Sequence, residues 1–119
     1  MILNHLAFRV SDAVSAEAFY RKYFGFRFAY RSGNIVVLMG DGDFRLALEE
    51  LKTDERIQEP ASFHFGFCVK SMAAVRQLYD DMKTDGVEFV QPYRELGPGA
   101  ANFYCRSPGA YTLEVFSSP

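Results

Sequence analysis

The chain carries one pattern twice. Ile2-Leu3-Asn4-His5-Leu6-Ala7-Phe8-Arg9-Val10 and Ser62-Phe63-His64-Phe65-Gly66-Phe67-Cys68-Val69 both alternate apolar residues with small or polar ones around a single histidine. The histidines stand 59 positions apart, and so do Asp12 and Ser71, the polar residues that follow each stretch. A repeat constrains a fold more than local propensity does, because both copies have to adopt one supersecondary unit. Strict alternation with aromatic and β-branched residues predicts a half-buried strand in each copy. In the first, Leu6, Phe8 and Val10 share one face and His5, Ala7 and Arg9 the other. In the second, Phe63, Phe65, Phe67 and Val69 oppose Ser62, His64, Gly66 and Cys68. That last face is neither charged like a solvated surface nor bulky like a core, and it reads as the wall of a cavity.

Each histidine strand leads into a helix signal. Asp12 is a suitable N-cap and Gly25 a left-handed terminator, so a helix is predicted to start after Ser11-Asp12 and run to about Phe24, with Ala16, Phe19, Tyr20 and Tyr23 at helical spacing. Strands are predicted over 26–30, 35–39 and 44–49, with turns at Ser32-Gly33-Asn34 and Asp41-Gly42-Asp43. The polar, proline-ended stretch 52–60 reads as a linker. In the second half Ser71 caps a helix whose Val75, Leu78, Tyr79 and Met82 follow helical spacing as far as Asp85-Gly86. Strands are predicted over 87–91, 102–106 and 111–116, with 92–100 as a loop. Both halves therefore read β-α-β-β-β. The expected fold class is α+β: two tandem β-α-β-β-β modules forming a curved, cupped mixed sheet around a cleft, helices outside. One domain is expected over 1–119, with module 1 at about 1–50, a linker at about 51–60 and module 2 at about 61–119.

Composition narrows the function classes. A chain of 119 residues can bury about two thirds of its unfolded surface. Its 12 Phe and 7 Tyr exceed what a soluble surface needs, so the rings have to fill a core or line a pocket. A net charge of −2 without a basic cluster argues against nucleic acid as a partner. No apolar run approaches the roughly 18–20 residues of a membrane span, and no signal peptide is expected. Cys68 and Cys105 stand apart with no metal-ligand spacing, which suits a reducing cytoplasm and two thiols acting as small buried hydrophobes.

The last predicted strand holds the second unusual residue. Tyr111, Leu113 and Val115 face one way, while Thr112, Glu114 and Phe116 face the other. If the modules curve, His5, His64 and Glu114 converge on the concave side. Two imidazoles and a carboxylate suit a divalent metal, Fe(II), Mn(II), Zn(II), Co(II) or Ni(II), with positions left for water or substrate. A strand histidine is more often a hydrogen-bonded cleft or core residue, and a strand glutamate is usually solvated. The equivalent repeat positions of His5 and His64 tip the balance towards metal. Arg9, Arg45 and Glu49 fall on the same expected faces as candidate substrate contacts, although Arg45 and Glu49 read equally well as surface charges. Tyr30, Tyr93, Phe103 and Tyr104 are candidate aromatic walls.

The opening His5-Leu6-Ala7-Phe8-Arg9-Val10-Ser11-Asp12, then Phe19-Tyr20 and Phe24-Gly25-Phe26, the His64 strand, and the ending Ser107-Pro108-Gly109-Ala110-Tyr111-Thr112-Leu113-Glu114 resemble the vicinal oxygen chelate superfamily. That group holds glyoxalase I, fosfomycin-resistance thiol transferases, extradiol dioxygenases, methylmalonyl-CoA epimerases and bleomycin-resistance proteins. The resemblance spans nearly the whole chain. It is specific for the fold and weak for the reaction, because members divide by pocket.

What the resemblance implies is concrete. The metal ligands carry over to His5, His64 and Glu114, with Glu114 also the catalytic residue, and Arg9, Tyr30, Arg45, Glu49 and Phe103 are expected around the substrate. Aligning Gly42-Asp43-Phe44-Arg45-Leu46-Ala47 on Gly109-Ala110-Tyr111-Thr112-Leu113-Glu114 puts Ala47 where a glyoxalase I usually supplies a fourth ligand. The remaining three-ligand pattern looks more like the fosfomycin-type transferases or the dioxygenases. The implied function is a metal-dependent lyase, transferase or dioxygenase acting on a small molecule chelated through two neighbouring oxygens. The alternative is a metal-free, bleomycin-resistance-like protein binding an aromatic or cationic drug, and a further one is a fosfomycin-resistance-type thiol transferase. A homodimer is expected, because each module's sheet leaves edges and an apolar rim.

Overall fold

The computed structural model describes residues 1–52 and 54–119. The chain divides into two compact units, Met1–Gln58 with Pro108–Ala110, and Glu59–Ser107 with Tyr111–Pro119. Each unit holds one β-α-β-β-β repeat and one four-stranded mixed sheet.

The first unit runs β1 (His5–Val10), α1 (Ala13–Phe24), β2 (Arg27–Ser32), β3 (Ile35–Met39) and β4 (Arg45–Glu50). The sheet order is β1-β4-β3-β2. β1 and β4 are parallel and the other pairs antiparallel, as they have to be when a helix and a hairpin separate the first strand from the last. Asp12 caps α1 by accepting from the N–H groups of Val14 and Ser15. Gly25, at φ +67, ends the helix in the left-handed conformation that costs glycine least. Ala13, Ala16, Phe19 and Tyr20 are the buried stripe of α1, and Val36, Leu38, Leu46 and Leu48 are buried on β3 and β4. Tyr20 is the hub of the aromatic packing, with Phe19 at 5.3 Å, Phe26 at 6.1 Å and Phe8 at 6.2 Å between ring centres. Phe26, expected in β2, precedes it and is buried in this cluster.

The second unit repeats the plan with β5 (His64–Cys68), α2 (Met72–Thr84), β6 (Phe89–Gly97), β7 (Ala100–Arg106) and β8 (Thr112–Ser117), in the order β5-β8-β7-β6. Ser71 caps α2 through its hydroxyl, which accepts from Ala74 N–H at 3.1 Å. Val75 and Met82 are fully buried on the helix, and Ala101, Phe103, Cys105, Leu113 and Val115 on the sheet. Tyr79 of α2 meets Phe89 at 4.6 Å and Phe103 at 5.4 Å. Phe19, Tyr20, Phe26 and Phe103 are the buried rings, Phe28, Tyr30 and Phe63 are exposed, and the other aromatic side chains are half-buried.

One expected loop is a hairpin instead. Residues 92–100 extend β6 as far as Gly97 and turn through Pro98 and Gly99 into β7. Pro92 lacks an N–H and cannot donate to a ladder. It falls where the β6–β7 register shifts between the Gln91 and Arg94 pairs, so no ladder bond is lost there.

Candidate functional site

In the second unit, alternation sorts β7 and β8 into two faces. Ala101, Phe103, Cys105, Leu113 and Val115 are buried, while Asn102, Tyr104, Arg106, Thr112 and Glu114 occupy the opposite face with His64 and Gly66 of β5. Register aligns these residues in rows. His64, Thr112 and Arg106 form one row across three strands, and Gly66, Glu114 and Tyr104 form the next. Gly66 lets the strands meet closely: a Cβ there would lie 3.0 Å from the Glu114 carbonyl oxygen and 3.4 Å from its Cβ. A side chain at this position would push against the backbone and Cβ of the residue that bears the carboxylate.

His64 and Glu114 are brought together, with Nε2 at 3.7 Å from Oε1. His64 Nδ1 lies 3.2 Å from the Ser62 carbonyl oxygen, which can only accept. A hydrogen bond there puts the proton on Nδ1 and leaves the Nε2 lone pair facing the carboxylate. Two acceptors at that distance are spaced to share a metal ion. The fit to a metal is good for these two ligands: donors about 2.0–2.1 Å from a tetrahedral ion stand roughly 3.4 Å apart, and a carbonyl on the second imidazole nitrogen is the usual companion of a metal-binding histidine.

A hydrogen-bonded shell fixes the carboxylate. Asn102 is buried, and its Nδ2 donates to Glu114 Oε2 at 2.9 Å. Its Oδ1 accepts from Arg94 Nε at 3.0 Å and from Gln91 Nε2 at 3.4 Å. Tyr104 meets the His64 ring edge-on at 5.1 Å. Its phenol is held above its ordinary pKa, first by burial and then by the Glu114 charge and a hydrogen bond to it, with Arg94 pulling the other way. Beside these residues lies a cleft of about 760 Å³, lined among others by Glu59, Phe63, His64, Val90, Tyr104 and Arg106.

Of the remaining expected residues, His5, Arg9, Tyr30, Arg45 and Glu49 belong to the first unit. His5 Nδ1 is 2.9 Å from Asn4 Oδ1. Arg9 and Glu49, expected as ligand contacts, pair with each other at 3.0 Å, and Glu55 approaches Arg9 at 2.6 Å. Arg45 stands in register with His5 and is exposed, and Tyr30 is exposed on β2. Phe103 is a correction. It is wholly buried against Tyr79 and Phe89, because adjacent strand residues point to opposite faces and Tyr104 takes the cleft side. Cys68 is a second correction: it is exposed, on the histidine face of β5, while Cys105 is buried and its thiol pushed up to about 12 by desolvation. Among the described residues, no three His, Cys, Asp or Glu side chains gather in one place. Sequence reasoning missed Asn102, Arg94, Gln91, Arg106 and Glu59. The alternation of 101–106 held the signal for Asn102 and Arg106, since burying Ala101, Phe103 and Cys105 turns them to the other face.

Paired β-α-β-β-β units with an imidazole and a carboxylate meeting on one sheet face define the vicinal oxygen chelate class of fold. Residues 2–115 match the Glyoxalase/Bleomycin resistance protein/Dioxygenase superfamily, and the chain belongs to it. Among solved structures it is similar to a possible glyoxalase from Bacillus cereus, with 33% identity over 97% of each chain and a TM-score of 0.80. It shares its fold with the fosfomycin resistance protein FosX of Listeria monocytogenes (22% identity, 100% of this chain and 96% of that one, TM-score 0.83). The same holds for a lactoylglutathione lyase from Agrobacterium tumefaciens (21% identity, 98% and 93%, TM-score 0.72). No curated protein matches the chain. Among the described residues, no helix is long and apolar enough to cross a membrane.

Proposed function

We propose that this protein is a divalent-metal-dependent enzyme acting on a small molecule that presents two neighbouring oxygens. The observation that carries this reading is His64 Nε2 facing Glu114 Oε1 at 3.7 Å, with Ser62 and Asn102 holding the far side of each ligand. His5 is the third ligand that the family resemblance assigns. A bound Fe(II), Mn(II), Zn(II), Ni(II) or Co(II) would supply Lewis acidity, polarising substrate oxygens by several kcal/mol. The chain supplies the rest. Asn102 orients Glu114, Gly66 lets β5 approach Glu114 closely, and Tyr104, with its raised pKa, stays a neutral hydrogen-bond donor at physiological pH. Glu114 is the residue best placed to exchange a proton with bound substrate. Free thiols at Cys68 and Cys105 support a reducing cytoplasm.

A second reading, metal-free binding of an aromatic drug, draws on the 760 Å³ cleft with Phe63, Val90 and Tyr104 on its walls. Tyrosine fluorescence separates the two. A bidentate oxygen ligand such as acetohydroxamate should bind only before chelator treatment if the site is metal-dependent. Chelator-insensitive binding would support the second reading.

A further inference from the structure

The cleft beside His64 is bounded by an anion receptor that the metal chemistry leaves unused. Arg106 forks onto Glu59, Nη1 donating to Oε1 at 3.2 Å and Nη2 to Oε2 at 3.0 Å. Glu59 Oε1 also accepts from the backbone N–H of Tyr111 at 2.9 Å, and Arg106 Nη1 donates to Thr112 Oγ1 at 3.2 Å. Tyr111 presents its N–H from φ +64, a conformation unfavourable for a residue with a Cβ. The turn before β8 is therefore held in a shape that aims a donor at this spot. A guanidinium fork and a converging N–H are the parts of a carboxylate site. Glu59 comes from the connecting segment between β4 and β5, outside any strand or helix. Both partners are partly open to solvent, at 33% and 23% exposure, and both line the cleft that His64 lines.

The geometry points to a second subsite: Arg106 and the Tyr111 N–H, with Thr112 alongside, take a carboxylate of the substrate, and Glu59 is an internal carboxylate that holds the place until substrate displaces it. This rests on the proposed use of the cleft by a small molecule. Register also bounds the ligand. Arg106, Thr112 and His64 share one row and Tyr104, Glu114 and Gly66 the next, so Arg106 stands two strand spacings, about 10 Å, from His64 and diagonally roughly 8 Å from Glu114. The substrate class is thus a small acid with its carboxylate roughly 8–10 Å from the oxygens held at His64 and Glu114, its apolar body against Phe63 and Val90. Displacement exchanges one carboxylate for another on the same donors, so Glu59 wins only through proximity. A tethered group acts at an effective concentration of about millimolar or more, which a free acid overcomes once its other end is engaged.

Calorimetry with benzoate on chelator-treated protein isolates this subsite from any metal. Glu59→Ala is expected to bind benzoate roughly tenfold more tightly than wild type, and adding Arg106→Gln to remove the gain. Equal affinity in wild type and folded Glu59→Ala overturns the proposal, as does a gain that survives Arg106→Gln. If Glu59→Ala does not fold, amide exchange in wild type decides. Saturating benzoate should speed exchange over residues 57–63 by releasing the segment, and unchanged exchange overturns the idea. Because no metal enters these measurements, their failure leaves the metal reading standing, and loss of the metal reading leaves them interpretable.

Discussion

Asn102 links Arg94 to Glu114 through the two ends of one buried amide, Oδ1 accepting at 3.0 Å and Nδ2 donating at 2.9 Å. The arrangement fixes which way the amide points, since only Oδ1 can accept from the arginine, and so fixes Glu114 Oε2. The other oxygen is left towards His64. Asn102→Ala should therefore weaken metal binding by roughly 10–100-fold, the usual loss when a ligand's outer partner is removed. Asn102→Asp should be worse, because it sets a second carboxylate against Glu114. Competition against a chromophoric chelator measures both, and unchanged affinity in Asn102→Ala would separate Asn102 from the site.

Tyr104 supplies a pH test. Burial and then Glu114 favour its neutral form in the folded protein, and Arg94 opposes them. With the folded pKa raised, its contribution to stability is fully present below the unfolded value of about 10 and is lost as pH rises through the folded value. Tyrosinate absorbance, taken as the difference from Tyr104→Phe, should show one late-titrating phenol. Glu114→Gln should bring that phenol down and Arg94→Gln should push it further up. The reverse order would mean that Glu114 and Arg94 do not act on this hydroxyl.

Phe103 and Tyr104 are neighbours with opposite duties. Phe103→Ala removes a fully buried ring and should cost about 3–5 kcal/mol of stability, read by denaturant unfolding. Tyr104→Phe should leave stability nearly unchanged and alter ligand binding instead. A Phe103→Ala protein as stable as wild type would return Phe103 to the cleft.

The repeat made the fold legible. Two histidine strands, two polar caps and Gly25 place both β-α-β-β-β units without reference to any contact. The hairpin of β6 and β7 was not legible: 92–100 was expected as a loop, whereas β6 runs on to Gly97, with Pro92 at a register shift where it loses no ladder bond. The site was half legible. His64 and Glu114 stand out as polar residues on alternating strands, and the structure joins them. Glu59 carried no local signal, because a charged residue in a polar, proline-ended stretch looks like solvated linker until Arg106 is seen opposite it.

Within its own sheet, each unit ends in two edge strands, β1 and β2 in the first and β5 and β6 in the second. Such edges favour pairing or cover by another copy. A homodimer of 13.5 kDa chains is expected by light scattering at micromolar concentration. A monomer mass would refute it.

The central expectation concerns the metal. An imidazole and a carboxylate at 3.7 Å offer a divalent ion two ligands that compensate part of its charge while leaving room for an anionic oxygen pair. Protein purified without chelator or affinity tag should carry a divalent metal by elemental analysis. His64→Ala removes an inner ligand and should lose more than the roughly 10–100-fold of an outer contact, leaving the purified protein largely metal-free. Glu114→Gln keeps the shape, including an oxygen, and drops the charge, so it should weaken binding without abolishing it. His5→Ala tests the ligand that the family resemblance adds: a loss comparable to that of His64→Ala makes it a third inner ligand, and unchanged affinity removes it from the set. If wild type and His64→Ala carry the same metal content, the ion is not held at His64, and the metal-dependent enzyme gives way to the drug-binding reading of the same cleft.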